Sequence, residues 1–167
     1  MIKTFNSLFV TMFGIGKLKP IPGTFGSLAT VIILYFLFHK FEISSNLILL
    51  GLVVIFIYSF LAITSHTKDK KNKDPGEIVI DEFIGQSIPI YLYEISHGTD
   101  KDPSEALIFY AVCFVLFRYF DIMKPFPVSY FDKKHKNSFG VIMDDVCAGL
   151  YVVLSLICFM VLKSYIL

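Results

Sequence analysis

Asn46-Leu-Ile-Leu-Leu-Gly-Leu-Val-Val-Ile-Phe-Ile-Tyr-Ser-Phe-Leu-Ala-Ile-Thr64 runs without a single charged side chain. A helix that crosses a bilayer needs about 20 consecutive, mainly apolar residues, and this run supplies them. Leu, Ile, Val and Phe fill odd and even positions alike, so the period-two alternation of a membrane β-strand is missing. Val141–Leu162 reads the same way. Three weaker apolar segments accompany these two: Gly26–Phe38, Ile78–Ile95 and Ala106–Phe120. The first and last of the three become spans when flanking aromatics and Lys40 or Arg118 reach the interface. Ile78–Ile95 carries Asp81, Glu82, Gln86 and Pro89. It reads as a broken, re-entrant or protein-covered helix, because polar groups at that depth must be shielded from lipid. The expected fold is all-α: a small polytopic helical membrane protein of about four to five apolar helices, forming one domain over residues 1–167.

Composition agrees. Of 167 residues, 55% are hydrophobic and only 17% charged, against about 45–50% and 25% in average soluble domains. Mean hydropathy is +0.68. The net charge of +1 by itself says nothing about nucleic acid, and no nucleic-acid partner is expected. Cys113, Cys147 and Cys158 lie in apolar stretches without a CxxC pattern and read as reduced packing residues. Phe5–Ile15 is modestly apolar, but no A-x-A-like cleavage site follows, so no signal peptide is expected. Nothing in the sequence sets the oligomeric state.

Lysine placement orients the segments. Lys17 and Lys19 precede the first, Lys68, Lys70, Lys71 and Lys73 follow the second, and Lys124, Lys133, Lys134 and Lys136 follow the fourth. Phe41–Ser45 carries only Glu42, and Ser96–Glu105 is net acidic. With five crossings the basic loops share one face, which the positive-inside rule makes cytoplasmic. Gly14–Ser27, Glu77–Gln86 and Arg118–Asp145 then converge on that face.

Two of those stretches, Glu77–Gln86 and Arg118–Asp145, carry the acids. An ionised carboxylate near hydrocarbon costs roughly 2.5–3.5 kcal/mol on insertion scales, so each needs a compensating partner. Glu77 and Asp81 are four apart and share a helix face. Asp144 and Asp145 sit where the last helix is expected to open, where capping and the dipole alone would favour them. The alternative for the whole set, with Glu82 and Asp121, is a metal. All-oxygen ligands suit Mg²⁺ or Mn²⁺ rather than zinc. The histidines (His39, His66, His97 and His135) are scattered, and none is expected beside an acid cluster. Arg118 and Lys124 flank Asp121, either as phosphate donors or as an interfacial anchor with a surface ion pair. In Pro22-Gly-Thr-Phe-Gly-Ser27, Thr24 and Ser27 suit either a helix cap or a phosphate contact.

Pro22-Gly-Thr-Phe-Gly-Ser27, Asp81-Glu-Phe-Ile-Gly85, Phe117-Arg-Tyr-Phe-Asp-Ile-Met-Lys-Pro-Phe-Pro127 and Gly140-Val-Ile-Met-Asp-Asp-Val-Cys-Ala-Gly149 together resemble the phosphatidylglycerophosphatase A family, over essentially the whole chain. The resemblance implies a Mg²⁺-dependent phosphatase of the bacterial inner membrane, working at the cytoplasmic face. It would convert phosphatidylglycerophosphate to phosphatidylglycerol and phosphate among membrane lipids. It implies Asp81, Glu82, Asp121, Asp144 and Asp145 as catalytic acids and metal ligands, and it matches Arg118 and Lys124 to the family's basic positions. One departure is Lys17-Leu-Lys-Pro-Ile-Pro22, with lysines where the family more often has small residues. On chemical grounds the acids would hold one or two Mg²⁺ ions and Glu77 is a candidate base. No DxDx[TV] motif offers an aspartyl nucleophile, and Cys113 lies one residue too close to Arg118 for a thiol phosphatase loop. A small ion-coupled transporter or a membrane assembly subunit would also keep intramembrane acids. Acids gathered at one face rather than the midplane count against transport.

Overall fold

The computed structural model describes residues 2–70, 72, 74–97 and 103–166. Lys71, Lys73, Asp100, Lys101 and Asp102, part of the loop charges above, lie outside the described residues. Among those described the chain is wholly helical: α1 Ile2–Val10, α2 Pro22–Tyr35, α3 Ser45–Thr67, α4 Ile80–His97, α5 Pro103–Met123, α6 Val128–Lys134 and α7 Ser138–Ile166. A π turn, Phe36–Lys40, extends α2. Four helices are long and apolar enough to cross a membrane: Pro22–Lys40, Ser45–Thr67, Ser104–Met123 and Ser138–Tyr165.

The boundaries follow local chemistry. Pro22 occupies the first turn of α2, where a missing N–H costs nothing and φ is already helical. The Asn137 side chain accepts the Gly140 N–H at 3.1 Å, an N-cap for α7. That cap starts α7 before Asp144, and its first turn holds no acid. The expectation that Asp144 and Asp145 open this helix is therefore corrected: they lie beyond the first turn, where capping does not explain them.

α4 is the buried centre of the bundle. It is continuous through Pro89, so it is not broken, and most of its residues are buried under other helices. It packs chiefly on α7 and α2, with α3 and α5 completing its surroundings. Pro89 has no N–H for the carbonyl of Gly85, one turn earlier. Gly149 of α7 lies against that carbonyl, and a Cβ there would overlap it; a Cβ at Gly85 would overlap the Asp145 carbonyl. Between helices in lipid, where no hydrophobic drive acts, such close backbone approach provides the packing.

The helices alternate in direction between two ends. α2, α4 and α7 begin, and α3 and α5 finish, at one end. Thr64 there donates to Ser138 Oγ at 2.9 Å. At the opposite end His39 Nε2 meets Glu94 Oε1 at 3.0 Å, and the Tyr110 hydroxyl donates to the same oxygen at 2.9 Å. This buried group ties the π turn to α4 and α5. The short α1 lies on α3, where the Tyr58 hydroxyl donates to Asn6 Oδ1 at 2.6 Å and Phe9 meets the Tyr58 ring edge-on at 4.9 Å.

Candidate active site

The first end of the bundle gathers the acids. Asp81 and Glu82 occupy the first turn of α4, where the helix dipole favours carboxylates. Asp145 reaches them from α7. One oxygen from each of Asp81, Glu82 and Asp145 lies within 4.8 Å of the others. Two carboxylates at 4.8 Å repel by about 3–4 kcal/mol at an effective dielectric of 20. Asp81 and Asp145 are buried, so water screens little of this. Asp81 Oδ1 and Glu82 Oε2 have no hydrogen-bond partner among the described residues. Leaving such atoms unpaired costs about 1–3 kcal/mol each. A hard cation held by Asp81, Glu82 and Asp145 relieves both penalties, and the all-oxygen donor set is the one Mg²⁺, Mn²⁺ or Ca²⁺ takes. These residues fit a metal.

Cations line the same space. Arg118 Nη1 pairs with Asp121 Oδ2 at 2.6 Å across one turn of α5 and donates to Ser27 Oγ at 3.4 Å. Its Nε is buried without a partner among the described residues. Gly23 opens the floor between them, since a Cβ there would run into Glu82 Oε1 and stand 3.2 Å from Arg118 Nη1. Ser27 donates to the Gly23 carbonyl at 2.9 Å, and Thr24 is half-buried on the first turns of α2.

Asp121 and Asp144 flank the trio rather than join it. Asp121 is held at the border by its ion pair with Arg118. Lys124 spans Asp144 Oδ2 at 3.0 Å and Asp132 Oδ1 at 2.8 Å. Burial pulls the Lys124 ammonium down, but its hydrogen bond to Asp132 and the charge of Asp144 outweigh this and hold it above its ordinary value. Burial also raises the Asp132 carboxyl, and the Lys124 hydrogen bond and charge reverse this to a net lowering.

Glu77 is elsewhere. It is held by Lys70 and by His66 Nε2 at 3.0 Å. The Lys70 hydrogen bond, chiefly, keeps its carboxyl below its ordinary value. The expectation that no histidine stands beside an acid cluster is thus corrected for His66, which meets Glu77; His39 meets a separate acid, Glu94. His135 lines a small cleft with Asp74, Asp132, Lys136 and Asp144.

Asp74 is a residue the sequence reading missed. Burial raises its carboxyl above the usual range, with Lys124 opposing and Asp132 adding to the rise. The signal for it in the sequence is the Asp74-Pro75-Gly76 turn just ahead of α4. Gln86, noted as one polar residue of a weak segment, is fully buried with both amide atoms unpartnered among the described residues.

Fold and site together describe a polytopic helical membrane protein with a buried, all-carboxylate centre faced by arginine. The chain belongs to the phosphatidylglycerophosphatase A family, which matches residues 8–160, and that membership makes it a phosphoric monoester hydrolase. A Haemophilus influenzae protein named phosphatidylglycerophosphatase A is 39% identical over 88% of this chain and 83% of its own length. An Escherichia coli protein of the same name is 32% identical over 85% of this chain and 76% of its own. A Bacteroides thetaiotaomicron protein, provisionally named phosphatidylinositol-3-phosphatase, is 32% identical over 86% of both chains. No solved structure matches the chain.

Proposed function

We propose that this protein removes the terminal phosphate of phosphatidylglycerophosphate, yielding phosphatidylglycerol and inorganic phosphate, with Mg²⁺ bound by Asp81, Glu82 and Asp145. The observation that carries the reading is the convergence of three carboxylate oxygens within 4.8 Å of one another beside the half-buried Arg118. A Mg²⁺ held by these three residues would supply neutralisation of phosphate charge and activation of the attacking water. The protein's own part is positioning and charge, which is most of what phosphoryl transfer requires.

Arg118 is set to fork two phosphate oxygens, a geometry a lysine cannot reproduce. Ser27 and the first turns of α2, with Thr24, border the phosphate where the absent Gly23 side chain leaves room. Lys124 adds a fixed positive charge at the rim. Glu77, tied to Lys70 and His66, is a poor candidate for the base. Asp121 and Asp144, which border the trio, are better placed to take a proton from water. The basic loop residues Lys17, Lys19, Lys68, Lys70, Lys133, Lys134 and Lys136 belong to connections at the same end as the site. By the positive-inside rule this supports a site on the cytoplasmic side of the bacterial inner membrane, reached by lipid headgroups from that leaflet.

The name of the Bacteroides relative favours a second substrate, an inositol phospholipid monoester. The test is phosphate release in detergent from phosphatidylglycerophosphate, phosphatidylinositol 3-phosphate and phosphatidic acid in parallel. Preference for the first supports the proposal. Preference for the second replaces the substrate and keeps the site. Release from none by folded protein refutes the phosphatase reading of the site.

A further inference from the structure

We propose that Gln86 is a positioning residue of the carboxylate centre, orienting Glu82 through its side-chain amide. This rests on the reading of Asp81, Glu82 and Asp145 as a cation site. Gln86 is one of the largest side chains with no exposed surface at all, and neither its Nε2 nor its Oε1 has a partner among the described residues. A buried primary amide with both ends unsatisfied is costly and uncommon. It follows Glu82 by four residues on α4, so the two side chains share a helix face at about 5–6 Å between Cβ atoms. Glu82 carries the matching deficit, because its Oε2 is also buried and unpartnered.

The two orphans are complementary. The Gln86 N–H donates and the Glu82 carboxylate accepts, by a small rotamer change or through one water. With Glu82 Oε1 turned toward Gly23 and Arg118, an amide on the second oxygen fixes the plane of the carboxylate. Carboxylates that ligate metals are generally held in this way, and removing the outer partner typically weakens metal affinity about 10–100-fold.

The inference differs from a packing role in a way that can be measured. In a packing role, an apolar replacement would lower stability with or without cation. Here, Gln86→Leu and Gln86→Met remove the donor to Glu82 while keeping most of the side-chain bulk, so their effect is concentrated on cation binding. The experiment measures melting temperature in detergent without divalent ions, then its rise on titrating Mn²⁺ and Mg²⁺, for wild type and both variants. Phosphate release against Mg²⁺ concentration separates the apparent cation constant from kcat.

The expected result is a smaller cation-induced rise in melting temperature in both variants than in wild type. The cation midpoint should move up about tenfold or more, with kcat at saturating Mg²⁺ close to wild type. An unchanged midpoint in both variants overturns the role of Gln86 while leaving the cation site standing. So does a melting temperature lowered equally with and without ion. Failure of the wild type to respond to either ion overturns this inference and the cation reading together.

Discussion

Glu77 shows how a partner decides what a carboxylate does. Its bonds to Lys70 and His66 fix its carboxyl below the ordinary value of 4.5. A depressed carboxyl contributes stability that is complete above the unfolded pKa and lost as pH falls through the folded one. Glu77→Gln should therefore lower the melting temperature at pH 7, and the difference from wild type should shrink and vanish as the buffer is taken below 4.5. Turnover of Glu77→Gln at neutral pH should stay within about tenfold of wild type, below the 10²–10⁴ that loss of a general base costs; a larger loss would return Glu77 to the machinery. Arg118 is the opposite case, placed at the trio with one nitrogen unpaired. Arg118→Lys keeps the charge but loses the fork, and kinetics should show a fall in kcat/KM approaching that of Arg118→Ala rather than rescue. The acids themselves were legible in the sequence because carboxylates beside hydrocarbon need a reason. Asp74 and Gln86 were not, since an Asp-Pro turn and a lone amide in a greasy helix are both ordinary until burial and partners are known.

At the scale of elements, the contact between α4 and α7 governs the centre, because Asp81 and Glu82 ride on one and Asp145 on the other. Gly85 and Gly149 allow that contact, each leaving no room for a Cβ. Gly85→Val should push the helices apart and destabilise the protein by about 1–3 kcal/mol, the usual cost of overpacking. Phosphate release should fall far more than stability does, because the trio is split. Ile90→Val, fully buried further along α4, should cost about 0.5–1.5 kcal/mol and leave turnover near wild type. Equal activity in the two variants, measured beside their melting curves, would disconnect the helix contact from the site. The long apolar runs located the spanning helices from sequence, because about 20 charge-poor residues leave few alternatives. Ile78–Ile95 stayed ambiguous because its polar residues argue against lipid, and only the tertiary structure reveals that other helices surround it. The start of α7 was misjudged for a local reason: the Asn137 cap lies ahead of the apolar run that marked the helix.

The whole molecule presents the Asp81–Glu82–Asp145 trio, its arginine and its basic loops at one end, and the His39–Glu94–Tyr110 group at the other. Five alternating helices put Lys134 and Glu42 at opposite ends. In a background with the exposed Cys158 replaced by serine, Lys134→Cys in intact cells should be shielded from an impermeant maleimide, and Glu42→Cys should react. Labelling of both from outside would reject the alternating topology. The most direct test of the account is phosphate release from phosphatidylglycerophosphate by purified wild type, Asp81→Asn and Asp145→Asn, each with Mg²⁺ and then with EDTA. The account predicts release by wild type with Mg²⁺ alone, and background rates for both folded variants, although one acid lies on α4 and the other on α7. Wild-type rates from either variant, or release that survives EDTA, would contradict a single carboxylate-held cation centre.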